Sequence, residues 1–235
     1  EKLSSARHAF EAVCVTTSNT NDVAVNIFAV GGWMYGSKSC ESIEKLSFKA
    51  SHDRSDDLAW QNEGRWEKCS PLLTPRRLHS VAASTDGSSV YVFGGYIDER
   101  NVTSSIESYD IEADCWNVVY ELPNPVLVQA VPDWSLDANN SFIIFPFSDN
   151  TSSNSHSKPT VLRYTPNNYS TFEPIVVPNL DGNETIEHLQ MPIKNYHSFS
   201  ATVSQSLRKA YLVGGLIDSK WTGRAFALDL DTMTW

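Results

Sequence analysis

Short apolar runs recur along the chain in one fixed order. Val90-Tyr-Val-Phe-Gly94-Gly95 ends in a glycine pair, Ser105-Ile-Glu-Ser-Tyr109-Asp110 alternates apolar with polar, and Trp116 opens a third run. The same order returns as Ile27-Phe-Ala-Val-Gly31-Gly32, Ser42-Ile-Glu-Lys-Leu46 and Trp66, and as Ala210-Tyr-Leu-Val-Gly214-Gly215, Ala225-Phe-Ala-Leu228-Asp229 and Trp235. Short runs bounded by turn residues such as Asp86-Gly87 predict strands over Leu78–Ala83, Val90–Phe93, Ile106–Asp110 and Trp116–Tyr120. The first of these has its own signature: His8-Ala-Phe10-Glu-Ala12 recurs as His197-Ser-Phe199-Ser-Ala201, with Arg77-Leu-His79-Ser-Val81 at the same place. One unit of four short strands cannot bury its own apolar faces, so successive units must stack.

A further module is degenerate. Val126–Val131, Phe142–Phe147 and Val161–Tyr164 fit its strands and Phe172 takes the tryptophan position, but Phe145-Pro146-Phe147 replaces the glycine pair. Proline lacks a ladder donor and belongs at a strand end or edge. The modules then run approximately over 7–69, 76–120, 126–177 and 197–235. Two polar stretches, Ser51–Asp57 and Asp149–Ser157, read as solvated loops because they hold too little apolar surface to order themselves.

An apolar strand with Gly-Gly, then Tyr-Asp, then Trp, repeated in order, resembles the kelch-repeat family over essentially the whole chain. The resemblance implies an all-β chain, a β-propeller of four-stranded blades around a central channel, with the first strand of each blade innermost. Departures are Leu46 and Leu228 in place of Tyr109, the lost glycine pair of the third module, and the 33-residue interval between Gly32 and Trp66. The chain begins Glu1-Lys2-Leu3 and ends on Trp235, where Trp66-Glu67-Lys68 is continuous. Either both termini complete one blade or, as the preferred expectation, the chain is a partial propeller whose uncovered end blades promote self-association.

Composition narrows the partners. A formal charge of −10 without a block of Lys or Arg disfavours nucleic acid and anionic membrane, and no apolar run is long enough for membrane insertion. Cys14, Cys40, Cys69 and Cys115 fall at unrelated repeat positions with no metal spacing, which favours free thiols in a reducing, cytoplasmic compartment. The sequons at Asn101, Asn139, Asn150, Asn168 and Asn183 make a secreted protein the alternative.

Gly31, Gly32, Gly94, Gly95, Gly214 and Gly215 end strands and do not open helices, so they read as structural turns and not as phosphate cradles. Trp66, Trp116 and Trp235, with Tyr109 and Tyr164, occupy fixed repeat positions and read as packing between blades. Trp33, Tyr35, Tyr96, Arg100 and Trp221 follow the glycine pairs in segments 33–41, 96–104 and 216–223, and are the residue types that dominate interface hot spots. His8, His79 and His197 lie on one face of the innermost strands, yet no carboxylate or thiolate joins them, so no metal or cofactor is expected. The expected function is an adaptor or scaffold presenting loops to a protein or peptide partner, including substrate recognition for a ubiquitin ligase through domains outside these residues. The alternative is an enzyme resembling the kelch-type copper oxidases or sugar epimerases.

Overall fold

The computed structural model describes residues 2–18, 22–34, 38–52, 58–122, 127–135, 140–147, 158–166, 171–177 and 187–235, and holds no helix among them. Three four-stranded antiparallel sheets follow one another. Blade 1 comprises Glu11–Ser18, Asp22–Val30, Ile43–His52 and Leu58–Cys69; blade 2 comprises Ser80–Ala83, Ser89–Phe93, Ser105–Asp110 and Cys115–Glu121. Blade 3 comprises Val128–Pro132, Phe142–Pro146, Leu162–Thr165 and Thr171–Pro174. Blade 4 has Ser200–Ser204, Lys209–Val213 and Ala225–Asp229 among the described residues, with Thr234 bridged to Asp229.

Several boundaries depart from the sequence reading by a residue or two, and two differences have a clear physical basis. The first strand of blade 2 starts at Ser80 because Leu78 adopts φ +50°, outside extended geometry. The long interval before Trp66 is an extended hairpin: Ile43–His52 and Leu58–Cys69 pair as far as His52 opposite Leu58, with a bulge between Leu46 and Phe48. Ser51 and His52 therefore belong to a strand, while 53–57 and the second polar stretch, 149–157, lie outside the described residues.

Alternation along each strand sends apolar side chains to two neighbours at once. In blade 2, Val90 and Val92 meet Val15, Phe28 and Ile43 of blade 1, whereas Phe93 and Ile106 meet Val128, Phe142 and Tyr164 of blade 3. Ile143 and Phe145 of blade 3 pack in turn on Phe199, Leu212 and Leu228 of blade 4. Trp116 stacks on Tyr109 at 5.0 Å between ring centroids, and its indole N–H donates to the Ser70 carbonyl at 2.9 Å. Trp235 repeats that bond to the Gln190 carbonyl at 2.8 Å, so each ring ties down the segment leading into its own blade. Asp110 accepts from the N–H groups of Glu112 and Ala113, and Asp229 from those of Asp231 and Thr232, which closes the turn after each third strand.

Two buried ion pairs sit at equivalent places. Arg7 pairs with Glu44 and Arg76 with Glu107, and all four side chains are withdrawn from water. The Arg76 guanidinium also donates to the carbonyls of Gly94 at 2.9 Å and Ser105 at 3.0 Å, while Glu107 accepts from the N–H groups of Leu73 at 2.9 Å and Thr74 at 3.1 Å. Arg7 makes the same pair of bonds to Gly31 and Ser42, and Glu44 accepts from the Ser4 N–H. In blade 4 the corresponding residues are Tyr196 and Phe226, rings in edge contact at 5.5 Å, so the site is filled by apolar surface instead.

Breaking one partner leaves a buried charge and orphaned backbone groups. Arg76→Met and Glu107→Leu should each cost about 3–5 kcal/mol in a urea titration. The double variant should recover little, because the Gly94 and Ser105 carbonyls still lose their donor; a double variant as stable as the parent contradicts the assignment. Trp116→Ala should likewise cost about 3–5 kcal/mol.

Candidate interaction face and axial pocket

The glycine pairs position the face. Gly31, Gly94 and Gly214 have φ of +57°, +58° and +68°, and Gly32, Gly95 and Gly215 have φ of +108°, +97° and +88°. A Cβ on Gly95 would lie 2.6 Å from the His79 Cβ, and one on Gly215 2.6 Å from the His197 carbonyl oxygen, so only glycine lets the chain turn against the opening of its own first strand. The chain then enters a small ribbon. Arg7–His8 pairs with Trp33–Met34 and these with Lys38–Ser39; Tyr196–His197 pairs with Leu216–Ile217 and these with Lys220–Trp221. Arg77, Tyr96 and Val102 form the counterpart in blade 2 through isolated bridges. Segments that read as loops are thus short ribbons in blades 1, 2 and 4, on one face of the array.

These ribbons place the sequence candidates differently from one another. Trp33 and Tyr96 are half-buried and flank Arg77, whose guanidinium carbon lies 4.2 Å from the Trp33 ring centroid and 5.0 Å from that of Tyr96. This cation–π sandwich joins blade 1 to blade 2 and occupies part of both rings. Arg100 stands exposed on a turn closed by Asp98, which accepts from the N–H groups of Arg100 and Asn101 at 2.8 Å each. Trp221 is 81% exposed on its ribbon, opposite Leu216. Tyr35 lies outside the described residues. Arg77 was not singled out by sequence, although a base with a planar head at the position of His8 and His197 is a visible signal.

The first strands of all four blades open around a pocket of about 280 Å³ on this face. Its wall is mostly apolar: Phe10 from blade 1, Leu78 from blade 2, Phe147 from blade 3 and Phe199 from blade 4, with Phe147 and Phe199 in edge contact at 4.8 Å. Phe147 stands where the other blades carry the second glycine, so the degenerate module supplies a ring to the pocket. Glu11 is the carboxylate of the wall, at the register position occupied by Ser80, Gln129 and Ser200 in the other blades. That position has a shared task. Ser80 Oγ accepts from the Ala130 N–H at 2.8 Å, Gln129 Oε1 from the Ala201 N–H at 3.4 Å, and Glu11 from the backbone of Val81, so each side chain tethers the next blade's innermost strand.

Residues 77–123 match the family model described as the Kelch motif. The second blade is a kelch repeat. Over 59 residues the chain is 36% identical to the F-box protein AFR of Arabidopsis thaliana, a match that covers 25% of this chain and 16% of that protein. The likeness thus reaches only a small part of the relative's length. Within the kelch repeat fall Arg77, His79, Tyr96, Arg100 and the Tyr109–Trp116 stack, so the match covers part of both the face and the packing beneath it.

The histidines of the innermost strands do not form a metal-ligand cluster among the described residues. His8 is exposed, His197 accompanies the Ser198 hydroxyl at 3.1 Å, and His79 is buried with its ring against Gly31. Among the described residues no three His, Cys, Asp or Glu side chains converge as metal ligands. Burial, aided by the Arg76 charge, pushes the His79 pKa down to about 3 and keeps the ring neutral, with both nitrogens lacking a well-formed hydrogen bond.

Glu11 behaves oppositely. It keeps some contact with solvent through the pocket, yet protein surrounds it closely enough that burial raises its pKa from 4.5 to about 7, against a smaller pull from the Val81 backbone. The folded state therefore holds a proton that the unfolded chain releases between those two values, so this group's contribution to stability falls as pH rises from about 4.5 to about 7 and is level above. Glu11→Gln keeps an acceptor for the Val81 N–H and removes the titration. The difference in melting temperature between variant and parent should be near zero at pH 4 and should grow in the variant's favour through pH 7. A difference that does not change with pH contradicts this placement of Glu11.

Proposed function

We propose that the chain is a protein-interaction module, a kelch adaptor or scaffold whose ribbon face receives a protein or peptide partner. The observation that carries this reading is the presentation of Trp221 and Arg100 in the open on the ribbons of two different blades, each ribbon entered through a glycine turn. Trp and Arg are the residue types that most often anchor interfaces. The kelch motif supports the same reading. The F-box relative favours the finer version, substrate recognition for a ubiquitin ligase through domains outside these residues, and the free thiols favour a cytoplasmic setting. No helix among the described residues is long and apolar enough to cross a membrane.

The variants that separate binding from folding follow from the burial pattern. Arg100→Ala combined with Trp221→Ala should leave the urea midpoint nearly unchanged, because neither side chain packs in a core. The same pair should weaken a purified partner by about 1–2 kcal/mol, or roughly five- to thirtyfold in Kd. Tyr96→Ala should lower stability as well, since it removes one side of the Arg77 sandwich. Unchanged affinity of the double variant, with a loss arising instead from substitutions in the 111–114 turn, would place the partner on the opposite face.

A further inference from the structure

Three features of the axial pocket belong together. Its wall is aromatic and aliphatic, with Phe10 38% and Leu78 48% exposed around the opening despite their size. Its carboxylate, Glu11, has no ion-pair partner among the described residues, although Glu44, Glu107 and Asp133 each have an arginine. Third, tethering the next blade does not need a charge, because serine and glutamine perform that task in blades 2 and 3. The negative charge of Glu11 is surplus to the fold and faces a cavity open to solvent.

We propose that this pocket takes a basic side chain, the ammonium of lysine or the guanidinium of arginine, presented by a partner polypeptide seated on the ribbon face, with Glu11 as its counter-ion. Charge complementarity decides the occupant: a cation gains an ion pair in a weakly screened site and the faces of Phe10, Phe147 and Phe199 around its stem, whereas an acidic segment would meet a like charge. The volume of about 280 Å³ admits one long side chain and not a folded element. This inference rests on the interaction reading above and adds the chemistry of the bound segment.

Ionisation sets the pH dependence. Among the residues that line the pocket from the other three blades, His79 alone titrates, and its burial beside Arg76 keeps it neutral throughout the neutral range. No charged side chain contributes to the Glu11 shift, which comes from burial opposed by the Val81 backbone. A cation binds the ionised form, whose population rises from about a tenth at pH 6 to about nine tenths at pH 8 for a group titrating near 7.

The test is an amide NMR titration of the whole chain with three capped tripeptides, Gly-Lys-Gly, Gly-norleucine-Gly and Gly-Glu-Gly, at pH 6 and pH 8. The lysine peptide should shift the amides of Phe10, Glu11 and Gln129 saturably, with about tenfold tighter binding at pH 8. The norleucine peptide should bind more weakly at both pH values without that rise, and the glutamate peptide should not bind. Glu11→Gln should lose the preference for lysine over norleucine, and Glu11→Asp should retain part of it. Equal binding of lysine and norleucine peptides, a lysine affinity independent of pH, or an unaffected Glu11→Gln variant each overturns the proposal. If that occurs while Arg100→Ala with Trp221→Ala still weakens the partner, the interaction reading stands and the pocket assignment alone falls.

Discussion

Arg76 binds three separate parts of one blade into a unit. Its guanidinium reaches the end of the second strand at Gly94, the start of the third at Ser105 and the Glu107 carboxylate, which in turn holds the incoming segment at Leu73 and Thr74. Desolvating such a pair is expensive, and the cost is offset because nearly every polar group it touches would otherwise be unpaired. The glycine turn, the ribbon beyond it and the first strand beside it all take their positions from this contact. In blade 4 an aromatic pair, Tyr196 against Phe226, stands in place of this charged network.

From that framework the functional face follows. The glycine pairs fold the chain back onto the opening of the first strand, so each ribbon sits beside the axis with its outer edge in solvent. Stacking brings ribbons of different sequence side by side, and the Arg77 sandwich fixes two of them to one another. Side chains at one register position of the first strands tether the blades around the pocket. There the array departs from its own repeat twice: a charge at Glu11 where others are neutral, and a ring at Phe147 where others have glycine. Departures of this kind, on a scaffold otherwise governed by packing, are where a site is expected.

Much of the architecture was legible in the sequence because alternation, glycine pairs and tryptophans are local signals. The strands of blade 2 and the order of all the modules follow from them. What was not legible depends on distant pairing: Arg7 and Glu44 are 37 residues apart, and nothing local says that these among all the charges share a buried site. The ribbons escaped notice because two-residue strands carry no periodicity. From sequence Trp33 and Tyr96 read as hot-spot residue types, and only the structure reveals that Arg77 lies between them. Glu11 and Phe147 were within reach, since aligning the repeats against each other exposes a charge where the others are neutral and a ring where the others have glycine.

The most direct test is a hydrogen-exchange footprint of the chain with and without a purified partner. If the ribbon face receives it, protection should rise over residues 7–11, 77–79, 96–102, 197–200 and 216–221, which are far apart in sequence and meet only around the pocket. The turns at 84–88, 111–114 and 230–233, at the opposite ends of the strands, should exchange as before. Protection confined to those turns, with the ribbons unaffected, would contradict the account.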